Sequence, residues 1–255
     1  FNTFRLSVMF PDMSVTWLVV LSIMAGLVVG FAIGLFIDMV LIRRSKFPNP
    51  LSKQMITMGI VLIITGLIPT IFSQYINNPP TPRPLTDNAL EIAVGTGRVV
   101  LPVHNIITII VAIVVIGTLF ILLKYTKWGL GVRATASNER VASMMGVNTK
   151  FITAMSWAIA AAIGSLAASL YAPMVQTLTV GFMVFMQVNG FLAAVLGGFS
   201  TFFGPIAGAV LIPLITTFLY DAFDLWNVAI AYLLILFVVL IKPIGLFGKK
   251  IAKKV

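Results

Sequence analysis

Few residues in this 255-residue chain could carry covalent chemistry. It holds one histidine, His104, no cysteine, and seven acidic residues scattered singly. A triad, a carboxylate pair or a metal cage each needs several reactive groups converging, and these residues offer no such set. The absence of cysteine also excludes a disulfide framework and a thiolate cluster. No GxxxxGK[ST] phosphate loop occurs, so the sequence predicts no nucleotide binding by the chain itself. His104 has no second ligand in kind and reads as a hydrogen-bonding residue at an interface. Asp38 reads as the partner of Arg43 or Arg44, with a proton-relay role as the alternative.

The remaining polar residues suit contact rather than catalysis. Residues 124–150 form a polar interval with five of the 17 basic residues and a single acid, Glu139. The centre of this interval predicts a helix of about two turns. Ser137 or Asn138 would cap its start, Val141, Met144 and Met145 would form an apolar side, and Gly146 would end it at C′. Such a helix can lie against its own bundle or insert into a groove on a partner. The functional reading is a surface through which a cytoplasmic partner moves a membrane protein; the alternative is a solvated basic loop. A second polar group comprises the amides Gln176, Gln187 and Asn189, which could bond a passing polar solute or satisfy one another between helices. A third is the glycine-rich run 197–209. There Gly197, Gly198 and Gly204 predict a broken helix lining a solute pathway, or else close helix packing through Gly204 and Gly208.

The elements that must position these residues are membrane helices. Sixty per cent of residues are hydrophobic and nine per cent charged, with a mean hydropathy of +1.09. Uninterrupted apolar runs approach or exceed the roughly 20 residues that span a bilayer, and they lack the alternation of a barrel strand. The expected class is an all-α polytopic integral membrane protein forming one transmembrane domain. Its seven expected spans fall at about 15–42, 54–76, 105–123, 151–171, 182–196, 203–220 and 225–241. In the first span Gly26, Gly30 and Gly34 recur every fourth residue, a stripe that admits a close neighbour. Pro69 predicts a kink in the second. The 77–104 segment opens NNPPTPRP, which favours polyproline II, and 94–103 predicts a small hairpin turning at Gly95–Gly97. The Ala, Gly and Ser content of 151–171 predicts burial inside the bundle.

Charge sets the expected orientation. The loops at 43–53 and 124–150 and the tail from Lys242 hold 14 of the 17 basic residues. The opposite side holds five of the seven acids. By the positive-inside rule, the 124–150 loop and the C-terminus are cytoplasmic and the 77–104 loop lies outside. The net charge of +10 therefore reads as a topology signal and not as a nucleic-acid surface. The chain begins on Phe1 without a signal-peptide layout, and further segments are expected ahead of it.

Three motifs carry a family resemblance. GLGVRATASNERVASMMGVN (129–148) resembles the cytoplasmic loop of branched-chain amino acid ABC transporter permeases of the LivH/LivM type. VLGGFSTFFGPIAGAVLI (195–212) resembles that family's glycine-rich segment, and IKPIGLFG (241–248) its C-terminal motif. Glu139 departs from the general loop signature, being followed by Arg140 and Val141 instead of two alanines. The resemblance implies an inner-membrane permease subunit, paired with a second permease subunit, two cytoplasmic ATPases and an extracytoplasmic solute-binding protein. ATP and magnesium would belong to the ATPases, and this chain would bind no cofactor. It further implies that Arg133, Ala136, Ser137, Asn138, Glu139, Arg140, Ala142 and Gly146 form the coupling contact with the ATPase. The expected cargo is branched-chain or other apolar amino acids, with urea or short amides as a near alternative. An autonomous carrier or channel is the alternative from another class, opposed by the scarcity of membrane-embedded charge.

Overall fold

The computed structural model describes residues 14–44, 50–73, 84–86, 88–94, 97–175 and 178–248. Gln176 and the expected polyproline stretch at 77–83 lie outside them. The chain forms two compact units, Phe1–Val180 and Gly181–Val255. Five helical tracts among the described residues are long and apolar enough to cross a membrane: Thr16–Ile42, Gln54–Ile71, Val103–Tyr125, Thr149–Met174 and Phe203–Ile241.

In the first unit, α1 (Val15–Phe36) continues into a π-helical turn at Ile37–Ile42. Helix α2 (Pro50–Ser73) runs through Pro69 without interruption. Strands β1 (Ala89–Val94) and β2 (Gly97–Pro102) pair antiparallel with Val94 opposite Gly97. The hairpin expected at 94–103 is thus present, with its first strand starting further upstream than the glycine signal suggested. Helix α3 (Val103–Tyr125) follows directly, then α4 (Lys127–Ser137), α5 (Glu139–Met144) and α6 (Thr149–Tyr171).

The unit is organised by the pairing of α1 with α6. Between helices in hydrocarbon no hydrophobic force acts, so association depends on close packing and hydrogen bonds. The glycine stripe supplies the approach. A Cβ on Gly34 would stand 2.6 Å from the Trp157 carbonyl oxygen and 2.8 Å from Ala158 Cα. One on Gly30 would meet Ala161 O at 2.9 Å, and Ser165 Oγ donates to the Gly26 carbonyl at 2.8 Å. Ala154 and Ala158 are buried, whereas Ala160, Gly164 and Ala167 are exposed, so the burial expected of α6 is met only in part within this chain. His104, also buried, ties the hairpin side to this pair. Its Nδ1 accepts from the Leu85 amide at 3.3 Å, which leaves Nε2 to donate to the Leu170 carbonyl at 2.9 Å.

The second unit contains α7 (Val184–Gly197), α8 (Phe203–Phe223) and α9 (Asn227–Ile241). Ala193, Leu196, Ile212 and Ile235 from all three helices make its core. The expected count of seven spans changes here. The fifth expected span is α7, with 14 residues; at 1.5 Å per residue it measures about 21 Å, short of the roughly 30 Å hydrocarbon core. The sixth and seventh lie in the single apolar tract Phe203–Ile241, which breaks at Asp224, a residue with φ +38°. Asn227 Nδ2 donates to Thr216 O at 3.4 Å. A straight helix would hold these residues about 16 Å apart, so the tract folds back on itself.

Candidate functional site

The polar interval between α3 and α6 is built from consecutive caps. Thr126, extended at φ −100° and ψ 157°, accepts from the Gly129 amide at 3.0 Å and donates to Leu122 O. It thereby closes α3 and opens α4. Gly129 sits against the Leu122 and Leu123 carbonyls and Gly131 against Ile152, so small residues let α4 fold onto the ends of α3 and α6. Asn138 breaks the helix at φ −158°, and its Oδ1 accepts from the Val141 amide at 3.2 Å to start α5. At the other end, Gly146 adopts φ +84°. Its N–H donates to Ser143 O at 3.1 Å and that of Val147 to Ala142 O at 3.0 Å, the pair of bonds that defines a Schellman motif. Asn148 Oδ1 then accepts from the Phe151 amide at 3.1 Å and starts α6.

The expected short helix is therefore present with Asn138 as its cap, while Ser137 is the last residue of α4. Helix α4 itself was missed. Thr126 three residues before Gly129 was a legible start signal, but the glycines at 129 and 131 argued against a helix. Met144 and Met145 are 85% and 80% exposed and Val141 is 53% exposed. Within this chain the apolar side of α5 is therefore not laid against the bundle. Arg133, Ala136, Ser137, Asn138, Glu139, Arg140 and Gly146 are exposed with it. Ala142 corrects the expectation: it is 4% exposed and turned inward, so it holds the helix down and offers no contact surface. On α4, Trp128 Nε1 and Thr135 Oγ1 are buried without hydrogen-bond partners.

Asp38, 3% exposed, pairs with Arg43 at 2.9 Å, one of the two partners expected from sequence. The same guanidinium nitrogen donates to Lys150 O at 2.8 Å, a bond that joins the end of α1 to the start of α6 and that no sequence signal indicated.

The residues expected to line a solute pathway are arranged differently. Gly197 and Gly204 meet backbone to backbone, and Gly208 lies against the Ala193 carbonyl, so α7 and α8 touch along their small residues. Gly198, at φ +99°, is covered by Ile244 and Gly248. Leu246 N donates to Leu196 O at 2.8 Å and Phe247 N to Gly197 O at 3.1 Å, satisfying carbonyls that the end of α7 leaves open. This is a closed joint, and the pathway reading of Gly197, Gly198 and Gly204 gives way to packing. Asn189 Oδ1 accepts from Tyr232 Oη at 2.9 Å, whereas Gln187 is exposed. A groove of about 290 Å³ in the first unit lies between α3 and α6, lined by hydrocarbon from Val111, Val115, Ile163 and Leu166 with Thr108 and Tyr171. No cluster of three metal-ligating side chains occurs among the described residues.

Residues 3–240 match the family model described as "Branched-chain amino acid transport system / permease component". The chain belongs to this family. The permease is 25% identical over 243 residues to the high-affinity branched-chain amino acid transport system permease protein BraD of Pseudomonas aeruginosa, covering 95% of this chain and 78% of that one. It is 30% identical over 141 residues to LivH of Escherichia coli, covering 54% of this chain and 45% of LivH. It is 28% identical over 240 residues to a probable branched-chain amino acid transport permease protein LivH of Methanocaldococcus jannaschii, covering 89% and 74%. No solved structure matches the chain. The motifs that suggested the family now have structural counterparts in the permease: the α4–α5 loop, the α7–α8 joint and the segment that caps α7.

Proposed function

We propose that this permease component is a membrane-spanning subunit of an ATP-driven importer in a bacterial inner membrane. It passes branched-chain or other apolar amino acids from an extracytoplasmic binding protein to the cytoplasm. In this reading the permease works with a second permease subunit and two cytoplasmic ATPases, which hold the ATP and magnesium. The α4–α5 loop and the C-terminus face the cytoplasm, as the basic residues demand. One observation carries the reading: Val141, Met144 and Met145 are exposed on a helix locked at both ends by Asn138 and Gly146. Unbranched, polarizable methionines adapt to a groove on a partner, and Glu139 and Arg140 beside them supply register by charge. Because α5 leads through the Asn148 cap into α6, motion imposed on it passes into the membrane as a body.

The test is reconstituted uptake of labelled leucine and labelled urea with the candidate ATPases and binding protein. Wild type is compared with the double variant Met144→Asp/Met145→Asp. Both side chains are exposed, so the variant folds and inserts. Expected are ATP-dependent leucine uptake in the wild type and its collapse in the variant, with loss of ATPase co-purification. Uptake that persists without ATPases would overturn the importer reading, and urea uptake in place of leucine would overturn the cargo.

A further inference from the structure

We infer that Arg43 is a positioning residue that couples α1 to the movement of the α4–α5 loop. Three observations meet at this side chain. Its guanidinium Nη2 donates to Asp38 Oδ2 at 2.9 Å, and its backbone N–H donates to Asp38 O at 2.9 Å, the bond that closes the π-turn. The same Nη2 donates to Lys150 O at 2.8 Å, across 107 residues of sequence. Asp38 is buried and Arg43 is half-exposed, so the carboxylate is tied to one cation and that cation to α6. A π-turn is an uncommon local arrangement, retained where an element is re-aimed for a purpose. Here the wider turn brings Arg43 round to Asp38 and α6 together.

The bond falls at a mechanically informative place. Lys150 is the second residue of α6, two beyond the Asn148 cap and four beyond the Gly146 turn that ends α5. Gly30 and Gly34 already hold α1 against α6 through the membrane. Packing of small residues resists separation, whereas sliding along a smooth stripe is resisted only by directional bonds. Ser165 Oγ to Gly26 O is one such bond, and Arg43 to Lys150 is the one at the loop end. A displacement entering α6 from the loop is thus delivered to α1 as well. Guanidinium suits this task because the two N–H groups of its planar Nη2 point in fixed directions, one to the carboxylate and one to the carbonyl, whereas an ammonium is a rotating point charge on a flexible stem.

This inference rests on the reading of α4–α5 as the ATPase contact. The experiment uses the reconstituted transporter with its ATPases and binding protein, and reads leucine taken up per ATP hydrolysed. Variants are Arg43→Gln, Arg43→Lys and Asp38→Asn, each first scored for ATPase co-purification. A residue that only supports folding would lower assembled protein, leaving the uptake-to-hydrolysis ratio of the assembled fraction unchanged. Expected is a fall of at least fivefold in that ratio for Arg43→Gln, a smaller fall for Arg43→Lys, and a ratio within twofold of wild type for Asp38→Asn. The last variant keeps an acceptor for Arg43 and the bond to Lys150. An unchanged ratio in both Arg43 variants overturns the inference, as does failure of both to assemble, which would make the role structural. Absence of ATP-dependent uptake in the wild type would instead sink the importer reading beneath it.

Discussion

Gly146→Ala isolates what holds the exposed helix α5 in shape. At six residues, α5 is far below the length at which a helix is stable alone, so its ends decide whether it forms. Gly146 lies at φ +84°, and a Cβ built there meets nothing within 4 Å. The cost of alanine is therefore confined to the left-handed backbone, about 1–2 kcal/mol. With tenfold per 1.4 kcal/mol, opening at the C-terminus of α5 should become about 5–30-fold more frequent. Hydrogen exchange reads this at the Gly146 and Val147 amides, which donate to Ser143 O and Ala142 O. Protection there should fall by that factor, while amides in the middle of α6 stay as in wild type and the thermal midpoint in detergent falls by only a few degrees. Asparagine, which tolerates this region better, should give a smaller loss. Equal protection in Gly146→Ala and wild type would refute the claim that the Schellman turn holds the helix. So would a drop in the thermal midpoint beyond what about 1–2 kcal/mol of backbone strain produces, because it would mean that the added Cβ meets an obstacle.

Gly245→Ala is the matched opposite. Its φ of +87° is nearly the same, but the new Cβ would sit 2.5 Å from Gly198 Cα and N. Strain and overpacking together come to about 2–5 kcal/mol, so thermal unfolding should shift markedly downward where Gly146→Ala does not. Gly34→Leu should separate α1 from α6, because the obstacles are backbone atoms of Trp157 and Ala158 that cannot step aside. A loss of about 1–3 kcal/mol is expected by circular-dichroism melting, with Gly59→Leu, whose surroundings are open, as a neutral control. His104→Ala strands the Leu85 amide and the Leu170 carbonyl. The cost of about 1–3 kcal/mol per orphaned buried group should appear as faster hydrogen exchange at Leu85, with α1 protection unchanged.

Local chemistry was readable in the sequence wherever neighbours in the chain do the work. The membrane class and the places of the long helices follow from apolar runs, because a span satisfies its own backbone. Asn138 and Gly146 bound α5 because a cap bonds to residues two to four positions away. The Asp38–Arg43 pair spans five positions, only slightly further along the chain. The loop and joint motifs also carried the family, and the match over residues 3–240 takes them in.

Tertiary structure alone decided which partner each small or polar residue faces. Gly26, Gly30 and Gly34 could have admitted any helix; that they admit α6 depends on a contact more than a hundred residues away. Gly197 and Gly204 read equally well as a pathway or a joint, since glycine removes a side chain in both cases, and only the opposed backbones select the joint. The bonds from Leu246 and Phe247 to the end of α7, like that from Arg43 to Lys150, end on carbonyl oxygens. Every residue carries a carbonyl, so no residue type advertises such an acceptor, and only the folded chain shows which one is used.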